Sequence, residues 1–532
     1  MSTSLGMREP EKSAAPHAGI DVGIDDEIED AASRPHPRSL GWLSTAALAM
    51  GGSNQSLFLI TALFVGQGDI PGQGSAAVPL LIVGLLLSYA AAPGWTELVL
   101  MSPDRVGGIA SACSAAFRRY SPILSTLTGV CYWWGWVPTC GLTAILSASA
   151  INQWCLPGVP VPVIACTLVL FFTAINLAGI RWVANLALMI AAASVTLAFI
   201  SMIAPIVHGD VDWHRAVDFH LTTPFPGWFG AMTSLMAGLY LIGFGAPAFE
   251  AAACHAGETI APARNLPRAM MASGGMAAVY FAILPVVWLG ALGPAALGQD
   301  LLKVLGPTFA PFLGAAAKSA AIGFMMFNMF HGTLQPLAGA ARTLSQISED
   351  GLAPRFLSWR LPSDAPWAAT LLTAGFAILF LLVGDPIWIV AAANFTYLIG
   401  ICLPSVAVFL LRRDAPDMPR PFRAPKGMIA LGLASAAIWG CAALFGFEQF
   451  GLPTVVFGLL MAYSGAALYA WRKLEDRWLA GLPGLGGSLH VKLTGAMILV
   501  LALDASGYLM AVGAIPKWRH AFVVGLEDIF VL

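Results

Sequence analysis

Glu250 lies three residues past an interruption, Gly243-Phe244-Gly245-Ala246-Pro247, in an otherwise apolar stretch. A carboxyl kept from water at such a place is costly, and its presence points to function. Two roles stand open for it: relaying a proton, or hydrogen-bonding the first apolar stretch to hold a break in shape. That first stretch carries its own interruption, Gly51-Gly52-Ser53-Asn54-Gln55-Ser56, six small or polar residues in succession. In the later one Pro247 lacks a donor and blocks a helical bond, while Gly243 and Gly245 tolerate non-helical dihedrals. Where a helix stops inside a membrane, free amides can receive a carboxylate and free carbonyls an amine or cation. The chemistry these residues suit is the holding of a small charged molecule. Each interruption alone also fits close helix packing through small residues. Enzyme signatures are missing: the chain has no HExxH, nucleophile elbow or Walker loop, and Gly481–Gly487 lacks the following Lys-Ser/Thr and reads as a linker.

Other polar and aromatic residues sit in apolar surroundings and carry two readings each. Asn328 and His331, with Thr333 and Gln335 beside them, are candidates for coupling or gating; a lone membrane histidine is either a satisfied packing residue or a proton carrier. Asn394 and Tyr397 are similar candidates. In the cluster Tyr132-Trp133-Trp134-Gly135-Trp136 the rings serve as belt or packing residues, or one of them lines a pocket. Glu97, beside a basic loop, reads as one half of a structural ion pair.

These residues need a bilayer to position them. The 532 residues are 58% hydrophobic and only 11% charged, against roughly a quarter charged in soluble domains. A chain so poor in charge cannot cover a water-facing surface, so the bilayer is its main solvent. A net charge of -2 excludes nucleic acid as a partner class. The eight cysteines lie mostly in apolar segments without a CxxC pair, and read as core residues rather than metal ligands or disulfides.

A window of about 20 apolar residues crosses the hydrocarbon core as a helix. That criterion predicts twelve spans, near 41–65, 76–98, 122–151, 162–180, 183–207, 227–254, 268–292, 311–340, 366–384, 387–411, 428–447 and 451–471. A candidate thirteenth, near 491–514, is interrupted by Asp504. Alternate connections hold the basic residues, among them Arg118, Arg181, Arg264, Arg342, Arg412 and Arg472, and the intervening loops are acidic or neutral. The positive-inside rule then puts the N-terminus in the cytoplasm. Residues 1–38 mix Pro, Ser and charge without the pattern of a cleaved signal peptide, and read as a disordered cytoplasmic tail. The two interruptions fall in spans one and six, each opening a set of five. Interrupted segments at matching positions of two halves point to an inverted-repeat transporter site.

Downstream of Glu250 the chain reads Gly257-Glu258-Thr259-Ile260-Ala261-Pro262-Ala263-Arg264-Asn265-Leu266-Pro267-Arg268-Ala269. With Phe249-Glu250 before it, this resembles the sixth-span signature of the amino acid–polyamine–organocation permeases, EE-x-K-N-P-x-R-N-I/L-P-R-A. Gly257 replaces the first acidic residue, and Ile260-Ala261 replace Lys-Asn. Arg342-Thr343-Leu344 through Asp350-Gly351-Leu352-Ala353-Pro354 is similar to the family's segment after span eight. Arg420-Pro421-Phe422-Arg423-Ala424-Pro425 matches its RPFRxP loop, and Thr96-Glu97-Leu98 with Gly107-Gly108 is similar to AEL…GG. The resemblance covers roughly residues 40 to 475.

It implies an all-α membrane protein with a five-plus-five inverted-repeat (leucine-transporter-type) fold and two added C-terminal spans. The expected organisation is a tail over 1–38, a first repeat over 39–207, a second over 227–411, spans eleven and twelve over 428–471, a linker over 472–490 and the candidate span over 491–514. The expected function is secondary active transport of an amino acid or related amine by alternating access, in the cell membrane and without cofactor or metal. Gly51 to Ser56 and Gly243 to Pro247 would hold the substrate. Phe244 stands where relatives place an aromatic that covers it. Leu188–Leu197 holds no lysine of the kind that replaces sodium in some relatives, with Ser194 near that place, which favours exchange or proton coupling through a group such as Glu250. Ser53-Asn54-Gln55-Ser56 stand where many relatives have Gly-Ser-Gly, and substrate preference is expected to be decided there. The alternative reading is a membrane sensor or scaffold that binds its ligand without moving it.

Overall fold

The structure is a computed structural model and describes residues 35–479, apart from 55, 68, 69, 223–225, 382–385, 448, 449 and 451. The first 34 residues, Gln55 and the candidate span over 491–514 therefore lie outside the described residues. The described chain is helical, save for a two-residue antiparallel hairpin pairing Gly66–Gln67 with Ile70–Pro71. Nine of its helices are long and apolar enough to cross a membrane, and shorter apolar ones include Gly227–Ile242 and Trp367–Leu381. This is the all-α membrane architecture that the resemblance implies.

Helices occupy each of the twelve apolar stretches. Span one is Trp42–Ser53 followed by Ser56–Val65, and span two is Ala77–Leu100. Span three, Pro122–Trp154, starts where the Ser121 hydroxyl accepts from Leu124 N at 3.3 Å, with Pro122 in the first turn. Span four, Val161–Ala178, stops at Gly179, whose φ of 114° a side chain would resist, and span five follows as Ile180–His208. Span six is Gly227–Ile242, a turn, and a 3-10 helix Ala248–His255. Span seven runs from Pro262 to Leu292 through a π-helical turn at Val279–Ile283. Spans eight to twelve are Ala317–Glu349, Trp367–Leu381, Pro386–Asp414, Lys426–Phe447 and Leu452–Leu479. Several helices outrun the apolar windows that mark them, because a helix continues wherever its backbone bonds do. Span eight carries Arg342, Gln346 and Glu349 past the apolar limit at 340.

Span three is the central post, packed against spans four, eight, nine, ten and twelve. Span one lies between spans five, seven and eight and the 3-10 helix of span six. Glycines make these approaches close. A Cβ on Gly135 would stand 2.5 Å from Tyr397 Cβ, and one on Gly52 2.5 Å from Ala248 Cβ.

The motifs that carry the family resemblance interlock at the end of the bundle that bears the arginine-rich loops. Glu97 of span two is fully buried and accepts from Arg412 Nε at 2.8 Å, from Arg412 Nη2, and from Ala424 N at 2.7 Å, with Arg420 Nε at 3.2 Å. Arg342 of span eight meets Glu258, in the connection between spans six and seven, at 2.7 and 2.8 Å. Arg105 pairs with Asp350, while Thr343 Oγ1 donates to Gly107 O at 3.0 Å and Gly107 N to Cys254 O at 2.9 Å. Ahead of span one, Ser39 N and Leu40 N donate to Glu258 O at 2.8 and 3.0 Å, and Arg38 Nη1 to Thr259 O at 3.0 Å. Residues 38–40 are thus bonded to the connection between spans six and seven.

Candidate functional site

The two interruptions meet. Span one ends its first helix at Ser53, with Asn54 N still donating to Met50 O at 3.1 Å, and restarts at Ser56. In span six the amides of Gly243, Phe244, Gly245 and Ala246 donate three or four residues back, at 3.0–3.1 Å, and Glu250 N donates to Pro247 O at 3.0 Å. The span-six break is therefore wound tight in this conformation. The close contact of the breaks is made by glycines: a Cβ on Gly51 would lie 2.6 Å from both Gln335 Cβ and His331 O, and one on Gly52 2.8 Å from Ala248 O and 3.0 Å from Trp136. A Cβ on Gly243 would meet Leu398 at 2.8 Å and Trp439 at 3.0 Å. At these three positions the packing role of a small residue is explicit.

The polar side chains around the breaks are underused. The Asn54 side-chain amide lies 3.2 Å from His331 Nδ1, donating to it when that nitrogen is unprotonated. Ser53 Oγ, Asn54 Oδ1, His331 Nε2 and both amide atoms of Gln335 are buried without a hydrogen-bond partner, the Ala47 backbone being the polar group beside the histidine ring. Ser194 Oγ of span five is likewise unpaired. Buried polar atoms are usually satisfied, so such a concentration marks a place where something else is accommodated.

Glu250 is fully buried. Its Oε1 accepts from Tyr132 Oη at 2.7 Å and from Tyr397 Oη at 3.2 Å, whereas Oε2 has no partner. Around it stands a chain of rings. Tyr132 and Trp136 contact Tyr397 at centroid distances of 5.9 and 5.1 Å, Tyr397 contacts Phe244 at 6.4 Å, and Phe244 meets Phe58 at 6.0 Å. Aromatic rings gathered beside a carboxyl group form a setting that can receive a cation. Beyond Phe58, on the side away from the arginine-rich loops, lies a cavity of about 310 Å³.

The structure thus brings Gly51, Gly52, Ser53, Asn54, Phe244, Glu250 and His331 into one region. Gly245, Ala246 and Pro247 form the turn that leads to Glu250, and Ser56 opens the second half of span one. Asn328 does not join them: it accepts from Tyr280 Oη at 2.8 Å and donates to Phe324 O at 2.6 Å, facing span seven. Asn394 Nδ2 donates to Tyr240 O and ties span ten to span six. In the aromatic cluster of span three, Tyr132 and Trp136 face Glu250 and Tyr397. Trp133 and Trp134 turn the other way, donating to Thr373 Oγ1 at 2.9 Å and Ser464 Oγ at 2.7 Å. Phe58 is not among the residues the sequence marks, and Trp136 is marked there only as one ring of the span-three cluster; helical spacing from Tyr132 is the signal that links it to the site. Among the described residues, no group of three or more His, Cys, Asp or Glu side chains is placed to hold a metal ion.

Comparison with known proteins adds to this geometry. A family model described as amino acid permease matches residues 40–469. A polyamine transporter of Arabidopsis thaliana is 28% identical over 219 residues, which are 39% of this chain and 39% of the relative. A branched-chain amino acid permease of Bacillus subtilis is 29% identical over 260 residues, 47% of this chain and 52% of the relative. A lysine-specific permease of Lactococcus lactis is 21% identical over 364 residues, 65% of this chain and 69% of the relative. The chain thus spans only about two fifths to one half of the length of the first two relatives.

Proposed function

The chain belongs to the amino acid permease family, within the amino acid–polyamine–organocation superfamily, and from that membership we propose that it carries an amino acid or related amine across the cell membrane. The observation that carries this reading is the convergence of both helix interruptions on buried, unpartnered polar atoms: Ser53 Oγ, Asn54 Oδ1, Gln335 and Glu250 Oε2. A binding protein keeps such groups unsatisfied at a cost of about 1–3 kcal/mol each, and a ligand that pairs with them recovers it.

In this reading transport proceeds by alternating access between two five-span repeats, spans one to five and six to ten, with the substrate held between the breaks. The amides wound back on themselves in the span-six break would open toward a carboxylate, and Glu250 with its ring of aromatics would face the amine. Phe244, between Phe58 and Tyr397, would close over the bound molecule. Glu250 and His331 are the groups that would take up a coupling proton, each already joined to the other elements of the site through Tyr132, Tyr397 and Asn54. The arginine-rich loops support a cytoplasmic N-terminus.

Uptake into proteoliposomes tests the proposal. Labelled amino acids or amines should accumulate, with or without an imposed proton gradient. If none moves under either condition, the reading fails. Dependence on an inward proton gradient would separate proton coupling from exchange.

A further inference from the structure

The cavity beyond Phe58 has a lining that limits what can occupy it. Leu57 of span one, Leu142 and Leu146 of span three, Leu241 of span six, and Met325 and Met329 of span eight form its walls. Its volume of about 310 Å³ stands at the small end of the roughly 300–1,000 Å³ range of ligand pockets. That is room for one small molecule or for the body of one. Two of its lining residues, Thr61 and Asp300, are polar, and both are engaged. Thr61 Oγ1 donates to Gln299 O at 3.0 Å. Asp300 Oδ1 accepts from Leu302 N at 3.1 Å, capping the short helix Leu301–Val304, and Oδ2 lies 3.8 Å from Lys303 Nζ. Asp300 thus stands half exposed, one oxygen on its own helix and the other near the Lys303 ammonium.

We infer that the substrate is a molecule with one ammonium group and an uncharged, apolar body, and that this cavity, walled by Leu142, Leu146, Met325 and Met329, selects the body. The inference rests on the transport reading above and narrows it. A second ammonium, as in a diamine or in the side chain of lysine, would have to sit among leucine and methionine side chains. The one acid of the lining, Asp300, stands at the exposed end beside Lys303, so an ammonium among the leucines and methionines would be left unpaired, and an unpaired charge in apolar surroundings costs far more than a neutral group of the same size. The methionines favour a range of apolar shapes rather than one, because their unbranched thioethers repack readily. Two sources share the inferred chemistry, an apolar amino acid and an apolar monoamine. They differ only in the carboxylate, whose place would be at the breaks.

The purified full-length chain, in a thermal-shift titration backed by competition for uptake in proteoliposomes, tests this with leucine, 3-methylbutylamine, alanine, putrescine and lysine. Leucine or 3-methylbutylamine should bind at least tenfold more tightly than putrescine or lysine; comparison of the first two tells whether the carboxylate is required. Leu142→Trp, which fills the cavity, should weaken leucine at least tenfold and alanine less than twofold. Should that variant not fold, Leu142→Ala enlarges the cavity and should shift preference from leucine toward phenylalanine. Putrescine or lysine binding as tightly as leucine would overturn the inference while leaving the transport reading intact. So would leucine affinity left unchanged by either variant that folds. If no amino acid or amine binds or moves, the transport reading fails and this inference with it.

Discussion

Arg342 of span eight grips Glu258 with two parallel bonds, Nε to Oε2 at 2.8 Å and Nη2 to Oε1 at 2.7 Å, and both side chains are buried. His255 Nδ1 sits 2.9 Å from the same carboxylate. The pair joins the connection after the span-six break to the helix that carries His331. It also lies under the segment entering span one, through the bonds of Ser39 N and Leu40 N to Glu258 O. Removing one partner leaves the other charge buried and alone, which costs about 3–5 kcal/mol. Glu258→Gln or Arg342→Met is therefore expected to lower thermal stability by that amount. The double variant Glu258→Gln/Arg342→Met should recover much of the loss, since no uncompensated charge remains. Unfolding of the four proteins in one detergent checks this; additive losses in the double variant would mean the two residues do not act as a pair.

The same carboxylate gives a pH dependence. Burial by itself would raise the Glu258 pKa, but the Arg342 guanidinium and His255 more than offset it and hold it well below the usual carboxylate range. A group held low in the folded state stabilises fully above its unfolded pKa, about 4.3 for glutamate, and that contribution is lost as pH falls further. The stability gap between the parent protein and Glu258→Gln is expected to be flat near neutrality and to narrow below about pH 4. A gap that widened on acidification would reverse the assigned sign.

The sequence showed the breaks because their signals are local. Pro247 between small residues and Glu250 inside an apolar stretch stand out without a partner. It did not show what each break touches. Tyr132 and Tyr397 reach Glu250 across 118 and 147 residues of chain, and the rotation of span three decides that Tyr132 and Trp136, rather than Trp133 and Trp134, face it. The surroundings of Asn328 were hidden for the same reason: three residues from His331 on one helix, it turns to Tyr280 instead. Span limits were blurred because apolarity ends before the helix does, as past residue 340 in span eight. The glycines were read as alternatives, packing or binding, and Gly51 and Gly52 place both in one spot. They bring span one against spans six and eight, and that contact sets Ser53 and Asn54 beside Gln335 and His331.

Substitutions in the first break should therefore divide by mechanism. Gly52→Ala would set a Cβ 2.5 Å from Ala248 Cβ and 2.8 Å from Ala248 O, an overpacking worth about 1–3 kcal/mol. It is expected to lower stability with or without ligand. Ser53→Ala removes only an unpartnered hydroxyl, so it should leave the ligand-free protein equally stable or slightly more stable and weaken ligand protection. Thermal shifts measured with and without leucine separate the two. Equal ligand protection in Ser53→Ala would remove that hydroxyl from the proposed site.

Glu250 offers the sharpest test of coupling, because one of its oxygens is held by two tyrosines and the other is free. Tyr132→Phe takes away the shorter bond, 2.7 Å, and Tyr397→Phe the longer, 3.2 Å. A net intramolecular hydrogen bond is worth about 0.5–1.5 kcal/mol, so Tyr132→Phe is expected to slow uptake the more, by up to about tenfold, a factor that about 1.4 kcal/mol accounts for. If Glu250 takes up the coupling proton, Glu250→Gln should abolish stimulation by an imposed proton gradient while exchange of labelled for unlabelled substrate persists, since exchange needs no net proton movement. If Glu250 only braces the break, Glu250→Gln should depress exchange and gradient-driven uptake together, because the amide still bonds the tyrosines but the shape of the turn is shared by both modes. Measuring both modes in the same vesicles, with and without an imposed proton gradient, assigns Glu250 to one role. A gradient response that survives Glu250→Gln unchanged points instead to His331, whose His331→Gln variant keeps a side-chain acceptor toward Asn54 but cannot take up a proton.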